Sequence, residues 1–339
     1  MSTTRTPASV SVDLDNKWAY LKAAGNSDWE SYPSFLSIAV PRMLDFLEQR
    51  ELKITFFIVG RDAEQRENAE PLWSIVDSGH EIANHSYSHE PWMQSYTKEQ
   101  LVEEFEKSEA AIFEATGAVP TGFRGPGFSR SDEILDQLIT RGYRYDASTF
   151  PTFLGPVARA VFFLKTRLNA GMREKQKGLF GKLSDGFQSN KPYLIRRSNG
   201  RSIVEIPVTT MPFLKAPIHA SYLMFLGRYS PALAMAYFRT AIAKCRLTGV
   251  EPSFLLHPTD FLGKEDDTDL EFFPGMDQPA QRKIDLLSSA FGLLSKRFDI
   301  VTMAEHASRY EENREQLREQ DTKVTFDGAR PREVVKTGD

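Results

Sequence analysis

An α/β fold, with a parallel sheet and helices packed outside it, is predicted by three features of the sequence. Strand-like and helix-like stretches alternate over residues 10–146 and again from residue 202. Residues 54–60, Ile-Thr-Phe-Phe-Ile-Val-Gly, form an almost unbroken apolar run closed by glycine, as in a strand buried on both faces. At 339 residues the chain has room for one barrel or two smaller domains. Apolar residues at 41% and charged residues at 26% are a globular balance, and a net charge of -4 argues against general nucleic-acid binding. The lone cysteine, Cys245, excludes an intramolecular disulfide and a thiolate metal cluster.

Taken in order, residues 10–15 alternate apolar and polar and read as a short strand ending in Asp13 and Asp15, which share a face of a regular strand. A helix is expected over 41–50, with Pro41 suited to its first turn. After the 54–60 strand, a helix over 69–78 stops at Gly79. A short strand over 81–83 then delivers Asn84 and His85-Ser86-Tyr87-Ser88-His89. The spacing of four predicts that the two imidazoles lie on one face of a helical turn, close enough to share a divalent cation. Thr97-Lys98-Glu99-Gln100 fits a capping box for a helix running to Gly117. A strand end at 122–124 enters the tight loop Gly125-Pro126-Gly127. Ser131 caps a helix ending at Gly142, and 143–146 reads as another strand.

From about residue 150 to 201 the rhythm breaks. Apolar residues there stand beside many Lys and Arg, so the segment reads as an insertion or lid. Such a composition suits either an interfacial segment on anionic lipid or a positive lid over an anionic or polar substrate, and the apolar stretch 216–226 adds to the first. Alternation resumes with strands at 202–207, 253–258 and 299–301 and helices at 231–247, 281–296 and from 302. Residues 1–320 are therefore expected to form one domain, and 321–339 a flexible polar tail. Residues 1–9 are polar, and no run of about 18 apolar residues exists, so no membrane-spanning helix is expected. The expected location is cytoplasmic, with peripheral contact at the inner membrane face.

Five strand ends now carry polar groups: Asp13/Asp15, His85/His89, Arg124, Asp146 and His257. Two histidines and one carboxylate hold a divalent metal and leave positions open for water and a carbonyl oxygen. A second carboxylate serves as base, and a separate histidine protonates the departing group. The ligand types favour Zn2+, with Co2+, Ni2+ and Mn2+ as alternatives. His80, His219 and His306 carry no motif and are assigned to structure. Trp18, Trp92 and Phe128 flank the motifs and suit sugar stacking or ordinary packing equally.

These residues resemble the polysaccharide deacetylases, the NodB-homology carbohydrate esterases, over about residues 10–146 and 202–301. The family's His-(Ser/Thr)-x-x-His motif is matched in full by His85 to His89, which the resemblance makes metal ligands. Asp13 then resembles the catalytic base and Asp15 the third ligand, although most members have the two aspartates adjacent. The Asp-x-Asp form is similar to a branch with some peptidoglycan deacetylases, allantoinase-like members and lipid-linked aminoarabinose deformylases. Arg124-Gly125-Pro126-Gly127 is similar to the motif whose arginine holds the base. Leu255-Leu256-His257-Pro258 makes His257 the general acid, and the looser Tyr145-Asp146-Ala147-Ser148 makes Asp146 its partner.

The resemblance implies a distorted (β/α)7 TIM-like barrel. It also implies metal-dependent removal of an acetyl or formyl group from the nitrogen of a saccharide, lipid-linked or a soluble precursor. The rival readings are hydrolysis of a cyclic amide, as in allantoinase-like relatives, or of a sugar O-acetyl ester. Non-catalytic carbohydrate or lipid binding on a decayed barrel is disfavoured, because ligands, base and acid are all retained.

Overall fold

The computed structural model describes residues 5–166, 168, 170–175, 181–197, 200–313 and 315. The expected tail at 321–339 lies outside the described residues. Seven parallel strands make the frame: β1 (Pro7–Asp13), β2 (Thr55–Ile58), β3 (Glu81–Asn84), β4 (Gly122–Phe123), β5 (Tyr145–Asp146), β7 (Ser202–Glu205) and β8 (Ser253–Leu256). Their order is β7-β5-β4-β3-β2-β1-β8, with β6 (Tyr193–Arg196) antiparallel on the outer edge of β7. Beyond β7 the chain curls back to β8, where Thr209 N donates to Ser253 O at 3.0 Å and Ser253 N donates to Thr209 Oγ1 at 2.7 Å. The α/β class and the (β/α)7 barrel are thus as expected. A last strand, β9 (Asp299–Val301), pairs with the first half of β1, and β2 takes over from Ser11.

The alternation in β1 has a different cause from the half-exposed strand that such a pattern first suggests. Every residue of β1 is buried. Ala8, Val10, Val12 and Leu14 pack outward into the main core, and Ser9, Ser11 and Asp13 are buried polar residues. Burying polar groups is tolerated only where they are hydrogen-bonded. Here Ser11 accepts from Arg124 and Ser9 bonds His306.

The helices on the outside are α1 (Lys17–Ala23), α2 (Leu36–Glu48), α3 (Gly60–Ala63), α4 (Ala69–Asp77), α5 (Lys98–Thr116) and α6 (Asp132–Arg141). They continue with α7 (Gly155–Lys165), α8 (Ala170–Lys175), α9 (Ala220–Tyr229), α10 (Pro231–Thr248) and α11 (Ala280–Ser295), and a final helix spans 303–313. The caps of α5 and α6 are those expected, with the capping box at Thr97 and left-handed stops at Gly117 and Gly142. Helix α2 starts earlier than expected, which puts Pro41 inside it. The carbonyl that Pro41 cannot serve belongs to Ser37, an exposed residue, so water can satisfy it. Phe46, Phe254 and Phe291 meet edge to face between α2, β8 and α11, each burial contributing about 1.5–3 kcal/mol.

Among the described residues, the 150–201 segment holds α7, α8, a 3-10 turn (Leu183–Phe187) and the edge strand β6.

Candidate metal centre and active site

Asp13 is the last residue of β1, and Leu14 N still donates to Phe57 O at 3.0 Å. Asp15 Oδ1 lies 3.3 Å from His85 Nε2 and 2.9 Å from His89 Nε2. The histidine motif brings its rings together, with centroids 5.0 Å apart, but not by a helical turn. It is an irregular loop after β3 in which Ser86 (φ 66) and His89 (φ 50) are left-handed. Side chains rather than a helix satisfy its amides: Tyr87 N and Ser88 N donate to Glu104 Oε1 at 2.9 and 2.6 Å, Ser86 N to Asn84 Oδ1 at 2.8 Å. Left-handed non-glycine backbone is strained, and it persists here because these bonds over-determine the loop.

His85 Nδ1 lies 2.7 Å from the Arg124 carbonyl oxygen, so Nδ1 carries the proton and donates. The Nε2 lone pair is left facing Asp15, the arrangement that prepares a histidine for a cation. Asp15 Oδ1 and His89 Nε2 are buried without a hydrogen bond, and the three candidate ligand atoms lie within 4.8 Å of one another. Burial works to raise the Asp15 pKa, but His89 and His85 hold it well below the usual carboxylate range. Burial works to lower His85, and Asp13 and Asp15 overcome it to raise that group. Unpartnered lone pairs and concentrated negative charge fit a divalent cation.

Arg124 is fully buried. Its Nη1 donates to Asp13 Oδ1 at 2.6 Å and to Ser11 Oγ at 2.9 Å, and its Nε donates to Ala147 O at 3.0 Å. Asp13 is thereby fixed through one oxygen, while its Oδ2 sits 3.9 Å from His85 Nε2.

His257 follows β8, as expected, but its partners are not those expected. Ser221 Oγ lies 3.2 Å from His257 Nδ1 and donates to Asp260 Oδ1 at 3.2 Å, and Asp260 Oδ2 accepts from His257 N at 2.8 Å. Asp146 lies elsewhere. It stands opposite Glu205 in the β5–β7 register and accepts from Ser148 Oγ at 2.5 Å. Arg130 Nε is 3.7 Å from Asp146 Oδ2 and 3.8 Å from Glu205 Oε2, and none of these three atoms has a hydrogen bond. Burial, then the charge of Asp146, push the Glu205 carboxyl well above its ordinary value.

The remaining histidines divide. His80 accepts from Ile54 N at 3.2 Å, and His306 bridges Ser9 and Glu251 at 2.9 and 3.0 Å, both structural as expected. His219 differs. Its Nδ1 is buried and unpartnered, its ring meets Phe150 edge-on at 5.6 Å, and burial, with His257 nearby, pulls its pKa down to about 3. It is a neutral imidazole beside the general-acid candidate, at the N-cap of α9, and no motif marks it. Trp18 packs on the candidate ligand His89, its ring 6.2 Å away, and Trp18 Nε1 donates to Asp62 Oδ1 at 2.8 Å. Asp62 is raised to about 6 by burial, against hydrogen bonds from Asn16 and Trp18. Phe128 stacks on Phe150 at 4.7 Å, beside a cavity of about 170 Å³ that both rings line.

The sequence pattern of the polysaccharide deacetylase family matches residues 29–145, so the resemblance carried by the motifs is borne out over that region. Peptidoglycan deacetylase of Helicobacter pylori is 31% identical over 144 residues, covering 40% of this chain and 47% of that protein. Chitin deacetylase 1 of Cryptococcus neoformans is 34% identical over 104 residues, 31% of this chain and 22% of that one. The chain spans less than half the length of these curated relatives. A candidate polysaccharide deacetylase from Mycobacterium smegmatis has the same fold, with a TM-score of 0.59 at 19% identity, covering 100% of this chain and 96% of that one.

Proposed function

We propose, from the polysaccharide deacetylase pattern over residues 29–145 and this site, that the chain removes an acetyl or formyl group from the nitrogen of a saccharide in a metal-dependent hydrolysis. One observation carries the reading: Asp15, His85 and His89 converge beside a second carboxylate, Asp13, that a buried arginine locks in place. Those three residues would hold the cation, Zn2+ by ligand type. When bound, such an ion supplies Lewis acidity toward the carbonyl and lowers the pKa of water.

The chain's own groups do the rest. Asp13 takes a proton from the attacking water, whose oxygen bonds to the acyl carbon. As the carbon–nitrogen bond breaks, His257 gives a proton to the departing amine, and the acyl group leaves as its carboxylic acid. Ser221 Oγ occupies His257 Nδ1, and Asp260 holds Ser221 and the His257 backbone amide, which leaves Nε2 to carry that proton. Arg124 keeps Asp13 from turning away. His219, neutral and unpartnered, is placed to hydrogen-bond the substrate. The saccharide in this reading is a lipid-linked or precursor sugar.

Elemental analysis of the purified protein beside His85→Ala, with acetate and formate release measured on N-acylated sugars, tests the reading. About one metal per chain, lost in the variant together with acyl release, is the expected result. A protein that takes up no metal even after reloading would return the histidines to a structural role.

A further inference from the structure

Charge is distributed very unevenly along this chain. Residues 150–201 carry eleven Lys and Arg against two acids, a net of +9 in a chain whose total is -4, so the remainder stands at -13. The same segment exposes apolar side chains that a water-facing surface has no use for. On α7, Val157, Val161 and Leu164 recur at helical spacing, and Leu164 is 86% exposed. On the 3-10 turn, Leu183 is exposed and Phe187 is 83% exposed.

A second loop completes this face. Phe213 and Leu214 project into solvent, Phe213 at 75% exposure, from a turn whose residues Phe213 (φ 71) and Lys215 (φ 53) are left-handed. Three contacts tie the pieces together. Thr152 Oγ1 donates to Lys215 O at 2.8 Å, Lys215 Nζ to Gln188 O at 2.6 Å, and the Phe153 and Phe187 rings meet at 5.1 Å. Strained backbone that presents a phenylalanine and a leucine to water stabilises nothing inside the fold.

We propose that this face docks on an anionic lipid bilayer, with α7, the 183–187 turn and the 213–214 loop dipping into the headgroup boundary. Apolar side chains beside an excess of cations are what interfacial binding needs, and the -13 remainder would orient the molecule with this side toward the membrane. No described helix is long and apolar enough to cross a bilayer, so the contact is peripheral. The face also adjoins the site, because Phe150, which opens the segment, touches His219. A saccharide carried on a lipid would thus be presented near the cleft, but the docking stands on charge and exposure alone and does not depend on the proposed chemistry.

The test is co-sedimentation of the full chain with phosphatidylcholine vesicles, with and without about 30 mol% phosphatidylglycerol. Binding to the anionic vesicles alone, weakened at about 0.5 M salt, is the expected result. Phe213→Ser with Leu214→Ser, and separately Arg173→Glu with Lys182→Glu, should each weaken it about tenfold or more while thermal unfolding stays cooperative. His85→Ala should bind as the unmodified protein does, which separates this proposal from the reading of the site. Equal retention on neutral vesicles, or none on either, would overturn it. So would light scattering that shows a dimer which the Phe213/Leu214 variant dissociates, since a second copy would then be the occupant.

Discussion

Two carboxylate pairs stand at strand ends in this barrel, each with an arginine, and they behave in opposite ways. In the first, Arg124 bonds Asp13 at 2.6 Å, and two histidines hold Asp15 well below its usual range. In the second, Arg130 stays 3.7 and 3.8 Å from Asp146 and Glu205 without a hydrogen bond, and Glu205 is pushed well above its ordinary value. Residue types are alike. The difference lies in directed donors: a fully buried guanidinium makes fixed bonds to the carboxylate it faces, whereas burial beside a second acid, with a cation too far to bond, raises the Glu205 carboxyl. The first pair is the one on which the proposed reaction rests.

The strongest way to break this contrast is Asp13→Asn. Turnover should fall about 10²–10⁴-fold while metal content is unchanged, measured by acyl release and elemental analysis on the same preparation. Activity near that of the unmodified protein would remove Asp13 from the base role. Next comes a matched pair of variants. Arg124→Met strands a buried carboxylate and should lower unfolding free energy by about 3–5 kcal/mol in urea. Arg130→Met should change it by no more than about 1 kcal/mol, because Arg130 Nε makes no hydrogen bond to either acid and its side chain is partly exposed. Equal losses would mean that the two clusters are not distinct.

A smaller effect is expected at Ser221→Ala: kcat down about tenfold, with one limb of the pH–rate profile displaced, since the hydroxyl orients the general acid. A profile that does not move would leave Ser221 a packing residue. The subtlest test is Glu205→Gln. A carboxyl raised on folding lends stability that is complete below its ordinary value of 4.5 and is lost as pH rises through the folded value. The variant cannot ionise, so its stability relative to the unmodified protein should grow with pH in urea titrations from acid to alkaline conditions. A constant difference across that range would show that folding does not raise the Glu205 carboxyl.

Much of this was legible from residue order. Strand alternation is enough to place Asp13, Asp15, His85, Arg124 and His257 at strand ends, and ends of parallel strands open on one side of a barrel. Strand alternation also places Asp146 at a strand end, but it does not tell which side chain stands beside it. Which side chain faces Asp146 depends on sheet order, and the pairing of β5 with β7 sets Glu205 opposite it. One contact of His257 has a local signal: Asp260 stands three residues after it, the spacing of a capping box, and accepts its backbone amide, while Ser221 Oγ meets the imidazole. Ser221 and His219 have no such mark, since they arrive through α9, whose packing no periodicity predicts. The histidine loop was misread as helical because spacing alone does not show that Glu104, on another helix, satisfies its amides.

The pairing of β1 bears on how the molecule comes into being. The strand that ends in Asp13 is held by β2 near in sequence, but also by β8 and β9 from the far end. Loop closure over such separations is slow, and a chain emerging from the ribosome would carry β1 with one edge unsatisfied for most of its synthesis. The candidate site is therefore a late product of folding, assembled only when β8 and β9 dock, and the nascent chain passes through a state with an open strand edge that chaperones would shield.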